Sequence, residues 1–158
     1  MLEKLKEKML KLIIPIQYSI GVIKDMKDFN IHGIGTDIVK ISRIEQAVLS
    51  WGDRFLGRVF TESERDYCFK KARPYSSLAA RFAAKEAFVK ALSVEVPVSF
   101  KEIETINDKN GAPVLRLHGR VAEILKEFCP NGVVHLSLSH DGDYAVAFVV
   151  IEKKLEVL

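Results

Sequence analysis

The chain lacks a long hydrophobic run. None of its 158 residues belongs to a stretch of 18 or more consecutive apolar residues, so no segment reads as a membrane-spanning helix. It is also poor in cysteine. Its two cysteines, Cys68 and Cys129, stand in no metal-ligand spacing, which argues against a disulfide scaffold and a zinc site and reads as two free thiols in a reducing cytoplasm. Charge of one sign is nearly absent as a bias. A net +3 does not demand nucleic acid, although local basic patches stay open. Repeats and low-complexity tracts are missing. What is present, 48% hydrophobic and 28% charged residues, suits one globular domain with an ample core.

Residues 1 to 29 stand apart as an N-terminal extension, with the domain proper at 30 to 158. Leu2, Leu5, Met9 and Leu12 follow a helical stripe with lysines between them, and Pro15 stops it. The stretch is too charged for a secretory signal. It has no arginine and carries Glu3, Glu7, Asp25 and Asp28, which argues against an organelle transit peptide. It reads as an extension packing on its own protein or a neighbour. Weak contact with a membrane surface is the alternative.

From residue 31 to 39 the pattern is a strand, with Ile31, Gly33, Gly35 and Asp37 on one face and His32, Ile34, Thr36 and Ile38 on the other. Two glycines in register inside a strand ask for a reason, and close approach by another backbone would supply one. Ser42 with Glu45 spells a capping box that opens a helix. Thr61 with Glu64 spells a second. Pro74 breaks the helix that follows, and "LAARFAAKEAFVKAL" at 78 to 92 is the next one. "FKEIETIN" and "APVLRLHG" around "DKNG" read as a hairpin, "RVAEILKEF" as a short helix, and "VVHLSLSH" with "DYAVAFVVI" as a closing hairpin. The order is strand, three helices, hairpin, helix, hairpin. That is α+β, with a mostly antiparallel sheet covered by helices.

The helix at 78 to 92 carries the chemistry. Ala80, Ala84, Ala87 and Ala91 make one ridge of small side chains, which lets a helix lie close to its neighbour. The glycine-bearing strand offers a matching shallow surface. If the two meet, Glu86 and Asp37 approach one another. Paired carboxylates repel unless a cation or a proton intervenes. Few, hard oxygen ligands favour Mg²⁺, with water and substrate phosphate completing its shell. Lys90, one turn from Glu86, suits a phosphate oxygen. By spacing alone, Glu86 and Lys90 read equally as an ordinary surface pair worth a few tenths of a kcal/mol.

"GIGTDIVKISRI" at 33 to 44, "FTESE" at 60 to 64, "RFAAKEAFVKAL" at 81 to 92 and "HLSLSHDGDYAVAFVV" at 135 to 150 occur in an order and at intervals that resemble holo-acyl-carrier-protein synthase, the bacterial type of 4′-phosphopantetheinyl transferase. The resemblance covers residues 31 to 152. It implies an α+β homotrimer with active sites between subunits. It also implies a cytoplasmic enzyme of fatty acid biosynthesis that moves phosphopantetheine from coenzyme A to a serine of acyl carrier protein and leaves adenosine 3′,5′-bisphosphate. Its partners would be coenzyme A and the carrier, with no nucleic acid and no stable membrane anchor.

Carried over by motif, Asp37 and Glu86 are the implied magnesium ligands, and Lys90 is implied near the pyrophosphate. Arg81 and Lys85 of the same motif are implied at phosphate. His135 is implied at the coenzyme A pocket of an adjoining subunit. "NGAP", with Gly111 and Pro113, resembles the family's nucleotide-facing NGKP turn, with Ala112 in place of lysine. Carrier docking is implied for the segment with Arg43, Arg54, Phe55 and Arg58. The family's KAxGTG is here "KALSVEVP", and the extension is a further departure. In the implied chemistry the metal bridges Asp37, Glu86 and the pyrophosphate. Glu86 is the nearest candidate base, and Lys90 stabilises the departing phosphate.

Other residues read more plainly. His32, opposite Asp37, is structural, and His118 is a loop residue. Ser137 and His140 point to opposite strand faces and make no dyad. Trp51 is a core or interface anchor. "KKARP" at 70 to 74 stays open between a 3′-phosphate contact and a solvated turn. A different magnesium-dependent phosphotransferase or nuclease remains as another class, though a nuclease would call for more acidic ligands. A carrier-binding protein that has lost catalysis remains as a third.

Overall fold

The chain enters a sheet at once. In the computed structural model, which describes residues 30–154, β1 (Asn30–Lys40) passes without a loop into α1 (Ile41–Val59). Helices α2 (Glu62–Phe69) and α3 (Pro74–Leu92) follow, then a 3₁₀ turn (Phe100–Glu102) and the hairpin of β2 (Ile103–Asn107) and β3 (Pro113–Leu117). Helix α4 (Gly119–Phe128) leads into the closing hairpin of β4 (Gly132–Asp141) and β5 (Tyr144–Lys153). The element order is the expected one. Strands β1, β5 and β4 form one antiparallel sheet in that order, and β2 and β3 form a second, two-stranded one. The extension and its amphipathic stripe lie outside the described residues.

Helix α3 is the centre of the core. Leu78, Phe88 and Leu92 on it are completely buried, each contributing about 1.5–3 kcal/mol of apolar transfer. Ala145, Ala147, Val149 and Ile151 of β5 form the sheet floor beneath it. The alanine ridge meets the glycines of β1. A Cβ built on Gly33 would stand 1.9 Å from the Ala91 carbonyl oxygen, and one on Gly35 1.9 Å from that of Ala87. The glycines are there because the helix backbone occupies the space a side chain would need.

Three local expectations change. Ser42 and Glu45 form no capping box: α1 starts two residues earlier, its N-cap is Lys40, and no side chain caps it. With no loop between strand and helix, the Ile41 N–H donates to the Asp143 carbonyl of the neighbouring hairpin turn (2.8 Å). The Thr61–Glu64 box is present as read. Second, the pairing of β1 with β5 slips between Ile31 and Gly33. This bulge turns His32 to the helix side, where its Nε2 donates to the Leu92 carbonyl (3.1 Å). His32 is structural, but on the face that Asp37 shares. Third, Pro74 does not end α2, which stops at Phe69. It opens α3 at the first position, where a missing N–H costs nothing.

Helix α1 is bent. Gly52 has φ 50° and ψ −131°, which breaks the helical path between Trp51 and Asp53. The bend leaves Trp51 62% exposed, so it is not a core anchor. It stands beside Phe55, with ring centroids 6.4 Å apart.

Candidate active site

Strand β1 and helix α3 together build a cleft of about 700 Å³, closed on its third side by α1. Asp37, Arg43, Phe55, Glu86 and Lys90 all line it, with Trp51 and Phe82. Each arrives by simple geometry. Asp37 lies on the helix-facing side of β1, two residues after Gly35, where the strand runs closest to α3. Glu86 and Lys90 lie one helical turn apart on α3 and so project together.

The charges are close. Lys90 Nζ donates to Asp37 Oδ1 (2.7 Å) and to the Thr36 carbonyl (2.9 Å). The lysine remains half exposed while the Asp37 side chain is 17% exposed. The Lys90 reading as a mere partner of Glu86 on a helix surface is therefore replaced: its ion pair is with the strand. Burial pushes the Glu86 carboxyl above its ordinary range, the nearby Asp37 charge pushes it further, and Lys90 pulls the other way. A carboxylate strained in this manner gains from an added cation. Among the described residues no third histidine, cysteine, aspartate or glutamate joins this pair. Two hard oxygen donors at an open cleft fit Mg²⁺, which keeps most of its shell for water and phosphate.

Lys85 corrects the sequence reading. It was expected at phosphate, but its side chain is wholly buried. Its Nζ donates to Glu64 Oε2 (2.8 Å), to the Phe100 carbonyl (2.9 Å) and to the Ile103 carbonyl. Three acceptors saturate an ammonium, so nothing is left for a phosphate. Burial lowers its pKa and the Glu64 carboxylate opposes that. Glu64 is saturated in turn by the Thr61 and Thr105 amides. The spacing did contain the signal. Leu78, Arg81, Lys85, Phe88 and Leu92 follow one helical stripe, so Lys85 belongs to the buried face.

Arg81 shares that stripe and is nearly buried, with its guanidinium 4.2 Å over the Tyr67 ring. Its Nη2 reaches Asn107 Oδ1 (3.4 Å), and its Nε has no partner among the described residues. Asn107 in turn donates to the Gly111 carbonyl (2.8 Å). Gly111, at φ 85°, forms the exposed β2–β3 turn and Pro113 opens β3. The same Tyr67 ring lies under Lys71 Nζ (4.4 Å), so one residue of "KKARP" approaches Arg81.

His135 lies elsewhere. It pairs with Val150 on the sheet face turned away from α3 and contacts Glu152 (2.9 Å). Within one chain it and Asp37 are on opposite sides of the sheet. Ser137 and Ser139 share its exposed face, as read. Arg54 and Arg58 are exposed on the second half of α1, beyond the Gly52 bend. His118 is more than a loop residue: it is the N-cap of α4, and its Nε2 lies 2.9 Å from Glu104 Oε2. Sequence reasoning missed Phe82 as a wall of the cleft and the buried Glu64 and Glu104 carboxylates.

An α+β domain with a helix seated on an antiparallel sheet and two carboxylates beside a lysine at their junction defines a class. The chain belongs to the 4′-phosphopantetheinyl transferase superfamily, whose model matches residues 33–149. Within it the relatives are the holo-[acyl-carrier-protein] synthases. The enzyme of that name from Halothermothrix orenii is 47% identical over 126 residues, 78% of this chain and 98% of the relative. The crystal structure of the Neisseria meningitidis synthase superposes with a TM-score of 0.72 at 38% identity, covering 78% of this chain and all of that one. The Helicobacter pylori synthase, solved in complex with coenzyme A, has a TM-score of 0.64 at 38% identity over 75% of this chain and 98% of that chain.

Proposed function

We propose that this protein transfers 4′-phosphopantetheine from coenzyme A to a serine of apo acyl carrier protein, with Mg²⁺, and releases adenosine 3′,5′-bisphosphate. The observation that carries the reading is the meeting of Asp37, Glu86 and Lys90 in one cleft. Asp37 and Glu86 would hold Mg²⁺, which when bound supplies charge neutralisation at the phosphate under attack. Glu86 accepts the proton of the carrier serine, directly or through a water. The serine oxygen bonds to phosphorus, the pyrophosphate bridge breaks, and Lys90 pairs with the charge on the departing phosphate. The Gly111–Pro113 turn receives the nucleotide end, and Arg81, expected at phosphate but buried, braces that turn through Asn107.

Assembly belongs to the same proposal. Ile34, Ile38 and Phe148 lie exposed on the sheet face opposite α3, an apolar surface of the kind that protein contacts cover. His135 shares that face, so it can reach a coenzyme A cleft only on a second copy. This supports a homotrimer with sites between subunits. Carrier docking falls to Arg43, Arg54, Phe55 and Arg58, and Arg43 and Phe55 line the cleft itself. Two buried free thiols suit a cytoplasmic setting.

Mass spectrometry of apo carrier after incubation with coenzyme A and Mg²⁺ tests the reading. One added phosphopantetheine is expected, lost on chelation. Asp37→Ala and Glu86→Ala should each cost about 10²-fold or more, as removing a principal electrostatic contact does. Carrier binding without transfer would leave a binding module instead. Arg43→Glu or Arg58→Glu should raise KM for the carrier and spare coenzyme A, with a weaker salt dependence than the parent.

A further inference from the structure

Lys85 and Glu86 are neighbours in sequence, yet they face different parts of the molecule. Glu86 looks into the cleft. Lys85 looks into the interior on the side of α2 and β2. Its ammonium is a single node that joins three elements: α3 itself, the α2 capping box through Glu64, and the entry to β2 through the Phe100 and Ile103 carbonyls. Glu64 extends the node to Thr105 in the middle of β2 (2.9 Å). One turn earlier on the same stripe, Arg81 reaches Asn107 at the far end of β2. The hairpin is thus fastened to α3 along its whole first strand. Beyond Asn107 comes only the turn with Gly111, which Asn107 and Asp108 hold by their own hydrogen bonds.

From these contacts we propose that Glu64 and Lys85 are positioning residues. They fix where the β2–β3 turn stands relative to Glu86, and so fix the distance between the nucleotide end and the reacting phosphate of coenzyme A. The claim rests on the function proposed above. Neither residue touches substrate. A long ligand held at two ends binds well only if both ends are in register. Loosening the buried pair lets the hairpin drift while Asp37, Glu86 and Lys90, held by the sheet side of α3, stay in place.

The test uses the full chain with Glu64→Gln, which is isosteric, and Lys85→Met. KM for coenzyme A is expected to rise about tenfold or more while KM for the carrier changes by less than about threefold, since a small misplacement is felt at the ligand it positions. Hydrogen exchange should quicken more at residues 103–117 than in β1 and β5. If Lys85→Met fails to fold, Glu64→Gln carries both measurements. A joint rise of both KM values would overturn the proposal. So would a fall in kcat that only tracks the unfolded fraction, or exchange that quickens evenly through the domain. Should the parent protein transfer nothing, the function fails instead, and the exchange pattern still decides whether the pair fixes the hairpin.

Discussion

Helix α3 is held on two flanks by opposite means. Toward β1 the contact is made of methyl groups and bare backbone: Ala87 and Ala91 against Gly35 and Gly33. Toward α2 and β2 it is made of charge, with Lys85 on Glu64, and behind that pair Glu104 ties β2 to Thr61, Ser63 and His118. The first flank has no room for an added atom. The second cannot lose a partner. The proposed catalytic groups sit at the seam, because Asp37 is fixed by the close-packed flank and the β2–β3 turn by the charged one.

Deleting a charge should therefore do the most damage on the charged flank. Lys85→Met leaves the Glu64 carboxylate buried without its counter-ion, and breaking a buried pair costs about 3–5 kcal/mol. Urea unfolding should show a loss in that range. A loss below about 1 kcal/mol, the scale of exposed pairs, would mean that Glu64 is solvated and that the flank is not what the contacts suggest.

On the close-packed flank an addition is the break. In Gly35→Ala the new methyl falls on the Ala87 carbonyl oxygen, a backbone atom that cannot rotate away. Overpacking of this kind costs about 1–3 kcal/mol, occasionally more. It also pushes Asp37 away from Glu86, so activity should fall further than stability alone predicts. Gly57, with open space around its Cβ position, is the control: Gly57→Ala should be neutral to slightly stabilising by thermal denaturation, because it lies inside α1.

The two flanks also differ in how far the sequence announces them. Alternation in β1 and the four-three-four alanine ridge made the close-packed flank legible, down to the reason for its glycines. The charged flank was legible only in part. Lys85 falls on the stripe of Leu78, Phe88 and Leu92, but a lysine in a phosphate-binding motif invites a reading at the surface. Its partners lie 15 to 21 residues away, and no local pattern pairs them. The bulge at His32 and the uncapped start of α1 escaped for a different reason. Both depend on pairing with β5 and its preceding turn, more than 100 residues later. For the site, the motif residues Asp37, Glu86 and Lys90 converge, whereas His135 lies on the opposite face of the sheet, because β4 joins β1 only through β5.

Acid offers a milder way to compare the flanks. Burial raises the Glu104 pKa, but hydrogen bonds from Thr61, His118 and Ser63 outweigh it and hold the carboxyl below the ordinary 4.5. A group depressed in the folded state stabilises fully above its unfolded pKa, and loses that contribution as pH falls through the folded value. Stability of the parent protein should therefore drop as pH falls below about 4.5. Glu104→Gln should be less stable at neutral pH and show a shallower acid decline. Parallel curves for the two proteins would remove Glu104 from the charged flank's account.

The smallest effect tests the end of α3, where both flanks finish. Ser93 closes the helix at φ 54° and ψ 35°, the left-handed conformation in which helices commonly place glycine. The run KALSVEVP holds no glycine, yet the backbone at Ser93 adopts the glycine conformation. Its hydroxyl donates to the Lys90 carbonyl (3.0 Å), which offsets part of the strain. Ser93→Gly relieves the left-handed cost, about 1 kcal/mol. It also loses that hydrogen bond and adds freedom to the unfolded chain. The opposing changes should nearly cancel, leaving a shift in Tm of no more than a few degrees. Ser93→Val has no such compensation. A β-branched side chain resists positive φ and cannot replace the hydroxyl, so it should lower Tm clearly. The His32 contact to Leu92 should weaken with it, because that carbonyl is presented by the same turn. If Val and Gly behaved alike in differential scanning calorimetry, the helix would end differently in solution, and the turn after Leu92 would carry no strain to relieve.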